Sequence, residues 1–313
     1  MKVLVTGGNG LIGKAVINEL LRNNLSVRSM DLSKNSTNNI ENFIGSILDT
    51  NNVNEAVRGC DAIIHLAAKL GVKRTETHRL ETLNLNIQGT VNILEAAVKN
   101  NVKKVIFTSS SEIYGDQSVD FISEECHRKP KSIYAVTKLA SEEYMEAYNH
   151  YYGLNYSILR YFNVYGPGQV AEFVLPRFIK AAMDDIAPTI YGDGSQVRSF
   201  CYVDDIARGT VLTLLSEESN SQVFNLGNDK DKTTILEAAN KVIEVSGRSL
   251  KPNLISFNEA DRSTDREIRN RVPDISKARK ILNYEPKIFL EEGIKRVLAA
   301  GKIHDSWIEP MGY

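Results

Sequence analysis

Tyr134-Ala135-Val136-Thr137-Lys138 sets a phenol and an ammonium four positions apart, so on a helix they share one face a turn apart. A tyrosine hydroxyl, with an ordinary pKa of about 10, is a poor base near neutrality. A cation beside it favours the phenolate and draws it toward the working pH. One segment upstream, Ser109-Ser110-Ser111-Glu112 supplies hydroxyls and a carboxylate. A serine at the end of a strand can hold a substrate alcohol in line with the phenol, and Glu112, two residues past Ser110, reaches toward the same pocket. Tyr134, Lys138, Ser110, Ser111 and Glu112 are therefore the candidate catalytic set. Tyr-x-x-x-Lys alone more often marks a plain amphipathic helix with a surface Tyr and Lys, so the elements around it carry the weight.

The strongest of these is the N-terminus. Lys2 to Thr6 predicts a short buried strand, Gly7-Gly8-Asn9-Gly10-Leu11-Ile12-Gly13 a tight turn, and Ala15, Val16, Leu20 and Leu21 the buried side of a helix. The three spaced glycines, Gly7, Gly10 and Gly13, allow a sharp turn, the approach of a pyrophosphate to backbone N–H groups, and close helix-to-strand packing. A second strand, Ser26 to Met30, delivers Asp31 where an acceptor for a ribose hydroxyl belongs. A carboxylate there repels a 2′-phosphate, which points to NAD rather than NADP. Asn9, Leu11 and Ile12 complete the turn. Ser46 and Ile47, at the end of a strand expected over Phe43 to Ile47, border the adenine. Leu66, Ala67 and Ala68 end a fourth strand beginning at Asp61, and small residues at a strand's carboxyl end let a cofactor lie close. His65 in that strand reads as a hydrogen-bonded core residue.

Further along, Lys69 to Leu83 reads as a charged, irregular loop facing substrate. Ile87, Val91, Leu94 and Val98 mark a helix, with Asn86 facing the region of Lys138. Val102 to Thr108 reads as a fifth strand ending in the serine run, Ile133 opens a long helix with an aromatic stripe through Tyr144 and Tyr151, and Tyr156 to Leu159 is a sixth strand. The strand–helix rhythm loosens after Arg160-Tyr161-Phe162-Asn163-Val164-Tyr165-Gly166-Pro167. These features predict an α/β fold: a Rossmann-type doubly wound parallel sheet over residues 1–165, with a smaller interleaved α/β substrate-binding region over 166–313. In the second region Gln196 to Asp205 leaves a loop for a strand, and Arg198 at that junction suits a phosphate through its forked donors. Thr234 is expected to cap a helix running to Val245, and Arg262, Arg266, Arg269 and Arg271 lie in a mixed-charge stretch that reads as solvated.

The chain has 313 residues, and 38 basic against 39 acidic residues leave a formal charge of −1. That balance offers no nucleic-acid footprint and no polybasic membrane anchor. Cys60, Cys126 and Cys201 are scattered, and the five histidines form no ligand pair, so neither a disulfide framework nor a metal site is expected. With no apolar run near eighteen residues and no signal-peptide core, the expected location is the cytoplasm.

Thr6 to Gly13, Asp31, His65-Leu66-Ala67-Ala68, Asn86 to Thr90, Ser109 to Gly115, Tyr134 to Lys138, Arg160 to Pro167 and Gly192 to Asp205 together resemble the extended short-chain dehydrogenases/reductases, specifically the NAD-dependent epimerase/dehydratase family acting on nucleotide sugars. The resemblance covers nearly the whole chain. It implies that Tyr134 is the base, that Lys138 binds the nicotinamide ribose and lowers the Tyr134 pKa, and that Ser110 holds the sugar hydroxyl. It also implies that Asn163 and Arg198 bind the diphosphate of the nucleotide-sugar partner, and that the chain forms a homodimer through the helices holding Asn86 to Val98 and Ile133 to Tyr151. Arg271, two before Pro273, resembles a substrate-side arginine of UDP-glucuronate decarboxylases. Ser110-Ser111-Glu112 departs from the Thr-Asp-Glu of glucose-type 4,6-dehydratases and lies nearer the Thr-Ser-Glu of GDP-mannose dehydratases and decarboxylases. The expected reaction is C4 oxidation to a 4-keto sugar with tightly held NAD, ending as a C4 dehydrogenase or 4-epimerase. A 4,6-dehydratase or a decarboxylase is the alternative. A non-catalytic dinucleotide sensor has no need of Tyr134, Lys138 and Ser110 together, and a ketone reductase has no use for Arg198.

Overall fold

The computed structural model describes residues 1–256 and 268–306. Seven parallel strands form the central sheet. Six come from the first half: β1 (Lys2–Thr6), β2 (Ser26–Asp31), β3 (Glu41–Ile44), β4 (Ala62–His65), β5 (Lys104–Ser110) and β6 (Asn155–Tyr161). The seventh is Gln222–Leu226, and the spatial order runs Gln222–Leu226, β6, β5, β4, β1, β2, β3. Parallel strands buried on both faces need continuous apolar runs, and Val3, Leu4, Val5, Ile63, Ile64 and Ile106 are fully buried. On one face the sheet packs against α1 (Leu11–Arg22) and the helix Val203–Leu215. The other face is covered by α2 (Thr50–Val57), α5 (Gly89–Lys99) and α6 (Ile133–Tyr152). The order reverses between β1 and β4, so the loops after those strands flank the crevice where such sheets take ligands.

A second core joins the helices Val174–Met183, Ile235–Ser246 and Leu290–Ala300. Beside it, Val197–Ser199 pairs antiparallel with Lys232–Thr234 and parallel with Asn270–Arg271, which sets Arg198 directly across from Arg271. The later half of the chain thus builds its own layer and also supplies one strand and two helices, Val203–Leu215 and Ser276–Leu282, to the main sheet.

Three local expectations change. The third strand begins at Glu41 and ends at Ile44, because Glu41 is held by Arg28 and Lys2 from the neighbouring strands and Gly45 already donates to Asp31 O. Ser46 and Ile47 therefore lie in the following loop. Lys69 to Leu83 is not irregular: it contains α3 (Val72–Thr77) and α4 (Arg79–Leu83), in which buried Thr82 is satisfied by donating to His78 O at 2.8 Å. The strand expected to run to Asp205 breaks into two short pairs, and Val203 starts the thirteen-residue helix to Leu215, with Asp204 and Asp205 in its first turn. The Thr234 cap is present as a full capping box with Glu237. Arg262 and Arg266 lie outside the described residues.

Candidate active site

The glycine turn is shaped by exclusion. A Cβ on Gly13 would sit 2.2 Å from Gly7 O and 2.8 Å from Gly8 Cα, so helix and strand meet backbone to backbone. Gly7 has φ +71°, and a Cβ there would lie 2.8 Å from Ala67 N, which brings the end of β4 directly onto the turn. Gly10 caps α1, and Leu11 and Ile12 begin the helix and pack inward. At the end of β2, Asp31 accepts from Asn9 N at 2.8 Å and from Leu32 N at 2.7 Å, and Asn9 Nδ2 donates to Ser33 O. Ile47 O accepts from Asn92 Nδ2 at 2.9 Å, and Ser46 Oγ from Leu48 N. Leu66, Ala67 and Ala68 are half-buried along the rim. This cradle, with its exposed helix N-terminus and its carboxylate, fits a dinucleotide without a 2′-phosphate.

His65 is a core residue. The Thr6 hydroxyl lies 2.7 Å from Nδ1, and Nε2 lies 3.2 Å from Thr90 Oγ1, whose own proton goes to Asn86 O. Complete burial, aided by the Lys138 charge, lowers the His65 pKa to about 3. Because the unfolded chain takes up a proton near pH 6.5 and the folded one does not, the stability held by neutral His65 is complete above about pH 6.5 and lost as pH falls toward 3. The thermal midpoint should therefore fall across that window, and His65→Asn should flatten the slope there; an unchanged slope would remove His65 from this account.

The chemistry-bearing residues converge at the end of β5 and the start of α6. β5 runs through Ser110, and Ser111–Tyr114 turns sharply as a 3₁₀ segment whose first N–H, from Glu112, donates to Ser110 Oγ at 3.2 Å. Ser132 caps α6 by accepting from Ala135 N at 3.1 Å, while its own proton goes to Glu112 Oε2 at 3.1 Å. The Ser-Ser-Glu turn and the Tyr134 helix are thereby fixed to one another. A second brace comes from Asn86, which donates to Thr137 Oγ1 and holds the backbone of Lys69, and a third from Glu76, which accepts from Ile133 N at 3.1 Å. Ser111 is buried within the turn.

Lys138 is 3% exposed and donates to Thr108 O at 2.7 Å, with its ammonium 5.8 Å from the Tyr134 ring centroid and 4.8 Å from that of Phe107. Burial lowers its pKa to about 7, against the pull of Glu142. The Tyr134 hydroxyl behaves differently from the expectation that Lys138 lowers it. Burial and the Glu112 carboxylate push its pKa up, and hydrogen bonding with Ser110 only partly offsets them. Lys138 donates one of its three protons to Thr108 O and places its ammonium 5.8 Å from the ring centroid.

On the far side, Arg271 Nη1 stands 3.6 Å from Glu112 Oε1, and its Nε is buried without a hydrogen-bond partner. Arg198 Nη1 donates to Val197 O. Asn163, with φ +40°, spends its amide on Ser199 O and Arg271 O, so its side chain ties together the strands bearing the two arginines. Sequence reading missed the buried network beneath: Arg160 on β6 grips Glu142 on α6 and also donates to Tyr114 Oη, which donates to Asn225. The available signal was an arginine inside an apolar strand and a glutamate one helical turn after Lys138.

A doubly wound sheet, a glycine cradle at its switch point and a Tyr-x-x-x-Lys helix facing a strand-end serine define an NAD-dependent enzyme of the extended short-chain dehydrogenase/reductase class. The model of the NAD dependent epimerase/dehydratase family matches residues 3–227, and the chain belongs to that family. Among its relatives, the UDP-glucuronate 4-epimerase of Thermodesulfobacterium geofontis is 35% identical over 94% of each chain. The UDP-N-acetyl-alpha-D-glucosaminuronate decarboxylase of Bacillus cytotoxicus is 36% identical over 95% of this chain and 96% of that one. A crystal structure of the UDP-glucuronic acid 4-epimerase of Bacillus cereus with UDP-glucuronic acid and NAD superposes with a TM-score of 0.87, at 31% identity, over 96% of this chain and 98% of that one.

Proposed function

We propose that this protein oxidises the C4 hydroxyl of a UDP-linked sugar, and specifically of a uronic acid, and that its product is the C4 epimer. The carrying observation is the placement of Tyr134, Ser110 and Lys138 at one strand-and-helix junction beside the glycine cradle. Bound NAD supplies the hydride acceptor and, for the epimer, the hydride returned. Ser110 Oγ orients the sugar hydroxyl. Tyr134 Oη, as the phenolate, takes its proton as C4 becomes a ketone and gives it back to the oxygen when the opposite face is reduced. Residues 1–165 hold the cofactor and 166–313 most of the nucleotide sugar, with Arg198, and Asn163 from the end of the first region, toward the diphosphate. The uronic acid reading is supported by the two relatives named above and by Arg271, whose unsatisfied buried Nε suits an anionic ligand.

A second outcome, loss of CO₂ from the 4-keto uronate, is favoured by one specific contact, the Glu112–Arg271 pair at 3.6 Å. A carboxylate kept beside the arginine competes with the substrate carboxylate for that charge. Incubation with UDP-glucuronate and UDP-N-acetylglucosaminuronate, with products resolved by mass and NMR, separates the two. An epimer of unchanged mass is expected, and no turnover of either, nor of the neutral UDP-sugars, would refute the reading. Glu112→Gln should lower any decarboxylated fraction several-fold while leaving C4 oxidation within the same order.

The exposed Tyr144, Tyr151 and Tyr152 along α6 support a homodimer built on this helix, and sedimentation as a monomer would remove that reading. Three free cysteines fit a reducing cytoplasm. Among the described residues no helix is long and apolar enough to cross a membrane.

A further inference from the structure

The strand that bears Arg271 is held along both of its edges. On one edge it pairs in parallel with Val197–Ser199, where Val197 N donates to Arg269 O at 2.7 Å and Arg271 lies directly across from Arg198. Like charges set opposite one another on paired strands repel, so this pairing alone is a poor hold on Arg271. The other edge meets the loop that follows the Ser-Ser-Glu turn. Asp116 Oδ1 accepts from Arg269 N at 2.9 Å, and Asn270 Nδ2 donates to Val119 O at 2.6 Å and to Asp120 O at 2.9 Å. Beyond Arg271 the backbone continues the contact: Ile122 N donates to Val272 O and Asp274 N to Ile122 O, both at 2.8 Å.

That loop is anchored from beneath at both ends. Tyr114 Oη donates to Asn225 Oδ1 at 2.7 Å, and Ile122 is fully buried, its carbonyl accepting from Asn225 Nδ2 at 2.9 Å. Glu112 stands at the head of the same loop and faces Arg271 Nη1 at 3.6 Å. The separation of this pair is therefore set by how residues 269–271 seat on 116–120. Asn270 keeps the seat at a cost: its Oδ1 is buried with no hydrogen-bond partner among the described residues, a penalty that a smaller side chain would avoid. We propose that Asn270, aided by Asp116, is a positioning residue for Arg271, seating its strand on the Glu112 loop so that the guanidinium meets an acidic group on the sugar. It thereby sets the preference for anionic over neutral nucleotide sugars. The three side-chain bonds lie at the rim of the protein, so their loss spares the buried anchors at Tyr114 and Ile122. What is lost is the fixed place of Arg271 relative to Glu112.

The inference rests on the uronic acid reading of Arg271 proposed above, and the experiment separates the two. Dissociation constants of UDP-glucuronate and UDP-glucose are measured by calorimetry on the NAD-loaded protein, with Tyr134→Phe as the background that suppresses turnover. Arg271→Met should erase most of the preference for UDP-glucuronate. Asn270→Ala should cut that preference about three- to tenfold, the worth of one or two hydrogen bonds, with UDP-glucose affinity and the thermal midpoint near those of the background. Asp116→Ala, at an exposed position, should act in the same direction, while Asp116→Asn keeps an oxygen for Arg269 N and should restore the preference. If Arg271→Met loses the preference while Asn270→Ala and Asp116→Ala both keep it, the positioning role is overturned and the uronic acid reading stands. If Arg271→Met keeps it, or the background shows none, both are overturned. Equal weakening of the two ligands in the Asn270 and Asp116 variants would mark a brace without selectivity and would likewise overturn the proposal.

Discussion

Tyr134→Phe should lower UDP-sugar-driven reduction of the nicotinamide by about 10²- to 10⁴-fold, the range that positioned acid–base groups contribute. The substitution removes one oxygen and leaves the ring. Lys138 keeps its place over that ring and its bond to Thr108 O, so the thermal midpoint and retained NAD should stay as in the parent protein. In the proposed mechanism the hydroxyl acts on the reacting proton while Ser110 and the arginines hold the sugar, so the loss should fall on kcat. The starting state makes the oxygen more consequential. Burial and Glu112 favour the protonated phenol, so the phenolate that takes the sugar proton has to be stabilised once cofactor and substrate are bound. Parallel rates in the two proteins by stopped-flow absorbance would remove Tyr134 from the role assigned.

The second large effect is expected at the glycine turn, and it separates two functions of similar-looking glycines. Gly13→Ala puts a methyl 2.2 Å from Gly7 O and 2.8 to 2.9 Å from Gly8 backbone atoms. No side chain can swing aside there, so the turn must open, at a cost of about 1–3 kcal/mol or more for overpacking. Both the thermal midpoint and the NAD retained through gel filtration should drop. Gly10→Ala meets only Gly7 O, at 3.3 Å, and should fold nearly normally. It should still lose NAD, since the methyl stands where a pyrophosphate approaches the helix N-terminus. Equal behaviour of the two variants in both measurements would contradict this division.

How much of this could be read from the residues follows the physics of each feature. The glycine turn, Asp31 and the Tyr134–Lys138 spacing are local patterns, and the structure carries them as helix, strand and turn in the expected order. Features settled by distant partners were not legible. Glu41 joins the third strand because Arg28 and Lys2 lie beside it, and α3 and α4 form from residues with little apolar periodicity, helped by hydrogen bonds such as Thr82 to His78 O. The net direction of the Tyr134 shift was not legible for the same reason. Spacing puts Lys138 near the ring, but only the fold shows that burial and the Glu112 carboxylate act on the phenol and that Lys138 also donates to Thr108 O. Asn163 likewise sits where the nucleotide sugar is expected, yet its amide is already engaged with two backbone carbonyls. Glu142 and Arg160 are eighteen positions apart, and nothing short of the sheet joins them.

The strand Gln222–Leu226 closes the free side of β6, with Phe224 and Leu226 fully buried. A chain leaving the ribosome has therefore synthesised β1 through β6 well before the edge of its cofactor sheet can be paired. Until residue 226 emerges, β6 offers an open, apolar rim to other nascent chains. The same feature forbids a simple exchange of halves between relatives. A graft made near residue 165 would bring a foreign strand into the main sheet along with the rest of the later half, and the two would have to be matched as one piece.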